Sequence, residues 1–152
     1  MNCILYTDDF EKLLCIKDRI AVFPFEIKNL SDLTTCKADI SDDASVIYTL
    51  FKSPVACIGN KENSAVIMPF DIVSKEISSL MSGIPLITYG TSSRATIGYS
   101  SNCRDGLLIS LQRSIKTLSG RTIEPMEINR ICNECVSTEL SLIETAILLL
   151  MQ

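Results

Sequence analysis

The chain contains 152 residues, of which 47% are hydrophobic, and carries a formal net charge of −4. This length fits one domain that can bury a core. An acidic chain without a basic stripe disfavours nucleic acid as a partner, because phosphates are bound by clustered Lys and Arg. Residues 1–9 lack the basic lead of a signal peptide, and residues 146–151, the longest apolar run, fall far short of the roughly 20 residues that span a bilayer. We therefore expect a single cytoplasmic domain without a membrane or nucleic-acid partner.

Seven cysteines and no histidine limit the chemistry open to the chain. The lack of histidine excludes Ser-His-Asp and Cys-His catalysis and the common catalytic zinc sites, and we expect neither a metal nor a cofactor. Without a secretory signal, the cysteines are interpreted as reduced thiols, mostly small core residues. Cys132 and Cys135 form a C-x-x-C ahead of the last predicted helix, a spacing found in redox pairs and in halves of zinc sites. In a chain with seven cysteines, two ordinary buried or half-buried thiols are the more frequent origin of such a pair.

The first half of the chain predicts short strands separated by polar segments. Residues 3–7 form a β-prone run that ends at Asp8-Asp9, and residues 10–20 place apolar side chains at helical spacing. Residues 23–27 are extended at best, because their proline has no N–H for a β-ladder. Residues 28–45 are rich in Ser, Thr, Asp and Asn and predict a loop with at most one helical turn.

Three further β-prone runs follow, at residues 46–51, 55–58 and 65–68. The polar residues 59–64 join the last two runs, and we interpret them as a hairpin connection, although it is longer than the favoured ones.

The segment Ser64–Gly98 gives the clearest pattern, which is a strand, a helix and a second strand. Asp71 follows the first strand and can cap a helix by accepting a hydrogen bond from an N–H of its first turn. The apolar positions 73, 77, 80 and 81 share one helical face, and Gly83 is typical of the position just past a helix end. Residues 86–89 form the second strand. A helix between two strands implies a right-handed parallel crossover.

The C-terminal part changes to short strands separated by turn residues, at residues 95–100, 106–111 and 121–131, which predicts an antiparallel meander. Residues 137–151 close the chain as a helix that is apolar nearly all round at its end. Such a helix is buried on several sides, so we expect a homodimer in which a second copy covers this helix or an exposed sheet edge. The predicted fold class is α/β, a small mixed sheet with a parallel βαβ unit, an antiparallel C-terminal meander and a closing helix.

Residues 65–71, which read Ala-Val-Ile-Met-Pro-Phe-Asp, lead through the predicted helix to Pro-Leu-Ile-Thr-Tyr-Gly at 85–90 and to Arg-Ala-Thr-Ile at 94–97. This arrangement resembles the second half of the central domain of Mur ligases, which use ATP to join amino acids to cell-wall precursors. In that family a strand ending in an Asn-Ala-Asp-Asp type motif leads through a helix to an Ile-Thr-Tyr-Gly strand, followed by small antiparallel strands and a helix. The resemblance covers residues 64–151.

The chain also departs from the Mur ligase pattern. The family's Gly-rich phosphate loop, which ends in Gly-Lys-Thr, is absent, and the six glycines are dispersed. A phosphate cradle needs clustered glycines, so that backbone N–H groups converge on the phosphate, and a lysine. Val136-Ser137-Thr138 stands where the family has an Asn, and the family's carbamylated lysine and histidine have no counterpart. The resemblance therefore implies a scaffold without ATP chemistry.

Several polar residues are candidates for a site. Asp71 lies at the carboxyl end of a predicted parallel strand, where open α/β sheets bind ligands. Together with Gly90 and Arg94 it forms our ligand-binding candidate, although helix capping explains Asp71 equally well. The pairs Asp8-Asp9 and Asp42-Asp43 are able to hold magnesium or to act as acid and base, but acidic pairs of this kind more often end strands or start helices. Basic residues concentrate in the second half and are interpreted as an anion pocket or as a solvated sheet face: Arg94, Arg104, Arg113, Lys116 and Arg121.

Three hypotheses for the function remain open. The first is a non-enzymatic binding, regulatory or self-associating module, whose partner is a protein or a second copy of the chain. The second is an enzyme that binds a nucleotide or an amino sugar at the strand ends near Asp71 and Gly90. The third is a thiol-redox protein that uses Cys132 and Cys135. No catalytic residue is assigned.

Overall fold

The computed structural model describes residues 3–35, 44–52, 62–80, 82–103, 106–131 and 136–152. Within them the strands are β1 (Cys3–Thr7), β2 (Phe25–Asn29), β3 (Ser45–Thr49), β4 (Ser64–Pro69), β5 (Leu86–Tyr89), β6 (Ile97–Cys103), β7 (Gly106–Leu111), β8 (Ile115–Lys116), β9 (Thr122–Ile123) and β10 (Met126–Arg130). The helices are α1 (Phe10–Leu14), α2 (Lys17–Ile20), α3 (Asp32–Thr35), α4 (Lys75–Leu80) and α5 (Thr138–Leu150), and a 3₁₀ turn covers Phe70–Ile72.

In the described part of the chain, eight strands form one sheet in the order β10-β7-β6-β5-β4-β3-β1-β2. Neighbouring strands from β2 to β6 are parallel, and β7 and β10 extend the sheet in antiparallel pairing. Strands β8 and β9 form a separate two-stranded ribbon. The order 2-1-3-4-5 of the first five strands is that of a doubly wound α/β sheet. The predicted α/β class and its antiparallel C-terminal extension are confirmed.

Helices cover the sheet on both faces. The main core lies on the face that carries α1, α2 and α5, whereas a smaller core lies under α3 and α4 on the other face. Strand β3 is buried at all five positions. Its Ile47 packs into the main core, and its Val46 and Tyr48 pack into the smaller one. A strand covered on both faces needs apolar residues on both sides, which explains its nearly continuous apolar run.

The predicted parallel βαβ unit is confirmed, but the predicted helix cap is wrong. Strands β4 and β5 pair in parallel, with Val66 opposite Leu86, and α4 lies between them in the chain. Asp71 falls in the 3₁₀ turn rather than at a helix start. Because this turn delays the helix, Ser74 provides the cap, and its Oγ accepts a hydrogen bond of 3.3 Å from the N–H of Ile77.

Other boundaries in the first half differ from the prediction. The helix predicted over residues 10–20 is divided into α1 and α2. Residues 25–29 form a full strand, β2, because at the edge of a sheet only one side of a strand needs backbone partners. The carbonyl of Pro24 accepts a hydrogen bond of 3.4 Å from the N–H of Cys3.

The single helical turn expected in residues 28–45 is α3. The predicted strand 55–58 lies outside the described residues, as do residues 59–61 of the predicted hairpin connection.

In the C-terminal half the predicted strand 121–131 is two strands, β9 and β10, separated by Pro125. The proline removes one ladder donor, and β9 turns away to pair with β8. The β8–β9 ribbon was not predicted, because each strand has only two residues. The closing helix begins as predicted, since Ser137 Oγ accepts a hydrogen bond of 3.2 Å from the N–H of Leu140.

Helix α5 is buried within its own chain. Ten of its thirteen residues are buried, including polar Ser141, Glu144 and Thr145. Glu144 Oε2 lies 2.9 Å from Arg19 Nε, and Glu144 Oε1 lies 4.0 Å from Arg130 Nη1. The helix therefore needs no second copy to cover its apolar surface, which corrects the reasoning behind that part of the dimer expectation.

Candidate functional site

The doubly wound order places a switch point between β1 and β3. The chain leaves β1 over one face, through α1 and α2, to reach β2. It returns over the other face, through α3, to reach β3 on the opposite side of β1. Ligands of such sheets bind outside the carboxyl ends of the strands at this point. The residues that follow the two strands here are Asp8 and Asp9 after β1, and Phe51 and Lys52 after β3; we call them the switch-point cluster.

Asp8 uses its carboxylate to hold the end of β3. Its two oxygens accept hydrogen bonds from the backbone N–H groups of Phe51, at 2.8 Å, and Lys52, at 2.9 Å. The two N–H groups belong to consecutive residues, and each of them donates to its own oxygen of the carboxylate. Asp8 therefore fixes the direction in which the chain leaves β3.

Asp9 serves α1 and the side chain of Lys52. Its Oδ1 accepts a hydrogen bond of 3.3 Å from the N–H of Lys12, which caps the helix. Its Oδ2 lies 3.0 Å from Lys52 Nζ. The hydrogen bond from Lys52 is the largest cause that lowers the pKa of Asp9. Both acids of the predicted carboxylate pair are thus committed to contacts within the chain.

Phe51 is the buried member of the switch-point cluster, and the residue is only 6% exposed. Lys12 Nζ lies 4.9 Å from the centroid of the Phe51 ring. The same ammonium forms an ion pair of 3.1 Å with Glu139 Oε2, in the first turn of α5. The face of an aromatic ring carries partial negative charge, so the Phe51 ring stabilises the ammonium group of Lys12 above it. A buried aromatic side chain therefore stands at the strand ends where similar sheets bind their ligands.

Tyr89 connects β5 to this arrangement. Its hydroxyl lies 3.2 Å from the carbonyl oxygen of Leu50 and 3.3 Å from Glu139 Oε1, so that its one proton serves two acceptors. The pKa of Tyr89 is raised, first by burial and then by the negative charge of Glu139. The phenol is therefore held neutral and cannot act as a base near neutral pH.

A second location, the Asp71 groove, lies beside the 3₁₀ turn. It is an open depression of about 690 Å³ lined by Phe70, Asp71, Val73, Ser74, Lys75 and Ser79. Two of the lining hydroxyls are already used by the backbone, since Ser74 Oγ caps α4 and Ser79 Oγ donates to the carbonyl of Lys75 at 3.0 Å. The groove exposes the carboxylate of Asp71 beside the apolar surface of Phe70 and Val73.

The predicted ligand-binding residues are only partly brought together. Pro69 pairs with Tyr89, which places the Asp71 turn and Gly90 at neighbouring strand ends. A Cβ atom on Gly90 would lie 3.8 Å from Phe70 Cβ, and the φ of +151° at Gly90 is unfavourable for other residues. Arg94 is exposed. Among the described contacts, none joins its guanidinium group to Asp71.

The remaining sequence candidates do not form a site in the described residues. Four of the five basic residues are exposed, which agrees with a solvated surface: Arg94, Arg113, Lys116 and Arg121. The fifth, Arg104, lies outside the described residues, as do Asp42-Asp43 and the Cys132–Cys135 pair. Of the described thiols, Cys15 is exposed, and burial raises the pKa of Cys3 to about 11.

No pattern in the sequence marks Lys12, Phe51, Tyr89 and Glu139 as a group. In the sequence, Tyr89 is the last residue of the predicted strand 86–89, and Glu139 lies near the start of the predicted closing helix. A polar aromatic residue on a buried strand does signal a need for a hydrogen-bond partner. Nothing in the local pattern indicates that the partner is Glu139, 50 residues further along the chain.

Comparisons with known proteins found no relative. No family model matches the chain, and no curated protein and no solved structure matches it significantly. In the described ranges no helix is long and apolar enough to cross a membrane. The same residues contain no group of three or more Cys, Asp or Glu side chains placed to hold a metal ion.

Proposed function

We propose that this chain is a non-enzymatic binding module. The observation that supports this most directly is how the described residues of the switch-point cluster are used. Phe51 is buried in the core, and the carboxylates of Asp8 and Asp9 are bound to groups of the chain itself. A catalytic group must contact its substrate. At this location, burying Phe51 and the Asp8 hydrogen bonds stabilises the fold, whereas a ligand would have to displace them.

The same proposal includes a Mur-ligase-like scaffold. The support is the resemblance of residues 64–151 together with the order of elements, in which β4, α4 and β5 are followed by short strands and then α5. The absence of the Gly-rich loop from the sequence argues against ATP as a ligand. Such a scaffold keeps the rigid sheet and presents its edges and loops to a protein partner or to a second copy of the chain.

Thermal unfolding in the presence of ligands tests this proposal. We expect no change in Tm with ATP and Mg²⁺, alone or together, or with UDP-sugars. A ligand that binds only the native state, at one hundred times its Kd, would raise the Tm by about 5–10 °C for a domain of this size. A shift of that size with any of these ligands would contradict the proposal.

The second candidate function is a small-molecule site in the Asp71 groove, for a nucleotide or an amino sugar. The specific observation in its favour is an open depression that combines an exposed carboxylate, the ammonium of Lys75 and the apolar surface of Phe70. An amino sugar offers a cation and hydroxyls to such a surface. If a free amino sugar raises the Tm of the unmodified chain but not that of Asp71→Asn, this second function is correct and the first is wrong.

A further inference from the structure

We propose that the free edge of β2 is a self-association surface, at which two copies of this chain pair their β2 strands in antiparallel orientation. This inference rests on the proposed binding function and names the partner as a second copy. In the described part of the chain, β2 is the last strand of the sheet, and it pairs on one side only, with β1. Unpaired strand edges are ready templates for another strand.

The hydrogen bonds between β1 and β2 show which backbone groups are free. Leu30 N donates to the carbonyl of Thr7 at 2.8 Å, and Pro24 accepts from Cys3 on the same side. Backbone groups of successive strand residues point to alternate edges, so Glu26 and Lys28 also direct theirs to β1. The N–H and C=O groups of Phe25, Ile27 and Asn29 therefore point to the free edge. A second strand placed there would form its ladder with these residues.

Charge selects one register for the pairing. A two-fold axis perpendicular to the sheet keeps each side chain on its own face. Because side chains alternate between the faces along a strand, such an axis places even-numbered residues opposite even-numbered ones and odd-numbered residues opposite odd-numbered ones. An axis at Ile27 places Glu26 opposite Lys28 of the second copy, twice. An axis at Glu26 would instead place Glu26 opposite Glu26 of the second copy, and an axis at Lys28 would place Lys28 opposite Lys28. Opposite charges across strands stabilise the pair and like charges destabilise it, so the axis at Ile27 is favoured.

Side-chain exposure agrees with this register. Glu26 and Lys28 lie on the same face of β2, 3.2 Å apart, with 64% and 34% of their side chains exposed. Both can therefore reach a facing strand without leaving a buried position. On the other face, Phe25 and Ile27 are partly buried against the main core. Contact between the two Ile27 side chains would extend that core across the axis.

The opposite edge of the sheet is less suited to self-pairing. Strand β10 also carries an acid and a base, Glu127 and Arg130. The two residues have opposite parity, so their side chains lie on opposite faces of the sheet. No two-fold antiparallel register can place one against the other. The complementary charges of β2 therefore distinguish the two edges.

Charge reversal at β2 provides the test. We expect the unmodified chain to dimerise in sedimentation velocity with a Kd on the order of micromolar, which is typical of a small interface. Glu26→Lys and Lys28→Glu should each raise the Kd by about 30-fold, because each converts two attractive pairs into two repulsive ones. An equimolar mixture of the two variants should form a heterodimer, in which every facing pair again has opposite charges.

Glu127→Lys is the matched control, since it makes the same charge change on an exposed position of β10. It should leave the Kd unchanged. Circular dichroism of each variant checks that the fold is retained, and the mixture experiment checks the pairing itself. A chain that stays monomeric up to about 1 mM, a thousand times the expected Kd, overturns the inference. So does a mixture that associates no better than its components. Neither outcome affects the ligand test of the proposed function, so the two can fail separately.

Discussion

The hydroxyl of Tyr89 lies 3.3 Å from Glu139 Oε1, which connects the carboxyl end of β5 to the first turn of α5. The same carboxylate binds Lys12 of α1 through its second oxygen. Tyr89 also donates toward the carbonyl of Leu50, just past β3. One phenol and one carboxylate thus hold two strands and two helices together at the edge where doubly wound sheets bind their ligands. The polar groups at this edge stabilise the fold.

Tyr89→Phe should lower the free energy of unfolding by about 1–2 kcal/mol, because it removes the donor for two acceptors and keeps the ring. Urea denaturation measures this change. Glu139→Gln is the matched control for the charge, since it keeps an acceptor for Tyr89 but loses the ion pair with Lys12. It should cost less, about 0–1 kcal/mol, because both members of that pair are more than one third exposed.

The raised pKa of Tyr89 also predicts how stability depends on alkaline pH. The unfolded chain releases the phenol proton near pH 10, whereas the folded chain retains it. The contribution of Tyr89 to the free energy of unfolding is therefore fully present below pH 10 and is lost as the pH rises above it. Tyr6 and Tyr48 also have raised pKa values and contribute in the same direction. In Tyr89→Phe, unfolding at alkaline pH should release one proton fewer, so the free energy of unfolding should fall less steeply with pH. An unchanged slope would contradict the raised pKa of Tyr89.

Asp8→Ala should destabilise the fold by about 2 kcal/mol, because it leaves the N–H groups of Phe51 and Lys52 without their acceptor. Asp8→Asn keeps one acceptor oxygen, and its loss should be about half as large. Amide hydrogen exchange at residues 51 and 52 provides a local measurement. Both amides should exchange faster in Asp8→Ala, whereas those in the centre of β4 should change only through global stability.

Asp9 predicts a dependence on acidic pH. Its pKa is lowered, chiefly by the hydrogen bond from Lys52, so the folded chain holds the ionised form more strongly than the unfolded chain does. The resulting stability is present above the ordinary pKa of an aspartate, near 3.9, and is lost as the pH falls below it. Asp9→Asn retains a cap for α1 but not this charge. Its stability should vary less between pH 5 and pH 3, as measured by urea denaturation across that range.

The sequence was sufficient where the signal is local. Strand β1, the parallel unit of β4, α4 and β5, and the start of α5 all depend on residues that are close together in the chain. Strand β2 was predicted to be extended at best, because its proline has no N–H to donate to a neighbouring strand. At the start of an edge strand that N–H is not needed, so β2 forms in full. The contacts at the candidate site join Lys12 to Glu139, 127 residues apart, and Asp8 to Phe51, 43 residues apart. Such contacts depend on strand order, which periodicity does not reveal.

Glu144 gives a final prediction, because it is a buried acid between two arginines. Its side chain is 4% exposed, and those of Arg19 and Arg130 are 24% and 28% exposed. Arg130 Nε also donates to Thr145 Oγ1 at 3.2 Å, beside Glu144 on α5. Glu144→Ala should therefore cost about 3 kcal/mol or more, since it leaves two partly buried arginines without their shared carboxylate.

The triple replacement Arg19→Met, Glu144→Leu and Arg130→Met provides the contrast. It removes all three charges and fills the same space with apolar side chains. Replacing a buried ion group in this way is often neutral or stabilising by about 1–4 kcal/mol, because the desolvation cost of the charges is removed. Urea denaturation of both variants should place the triple variant at or above the unmodified chain and Glu144→Ala well below it. If the triple variant lost as much stability as Glu144→Ala, the charges themselves would stabilise the packing of α5 against α2 and β10.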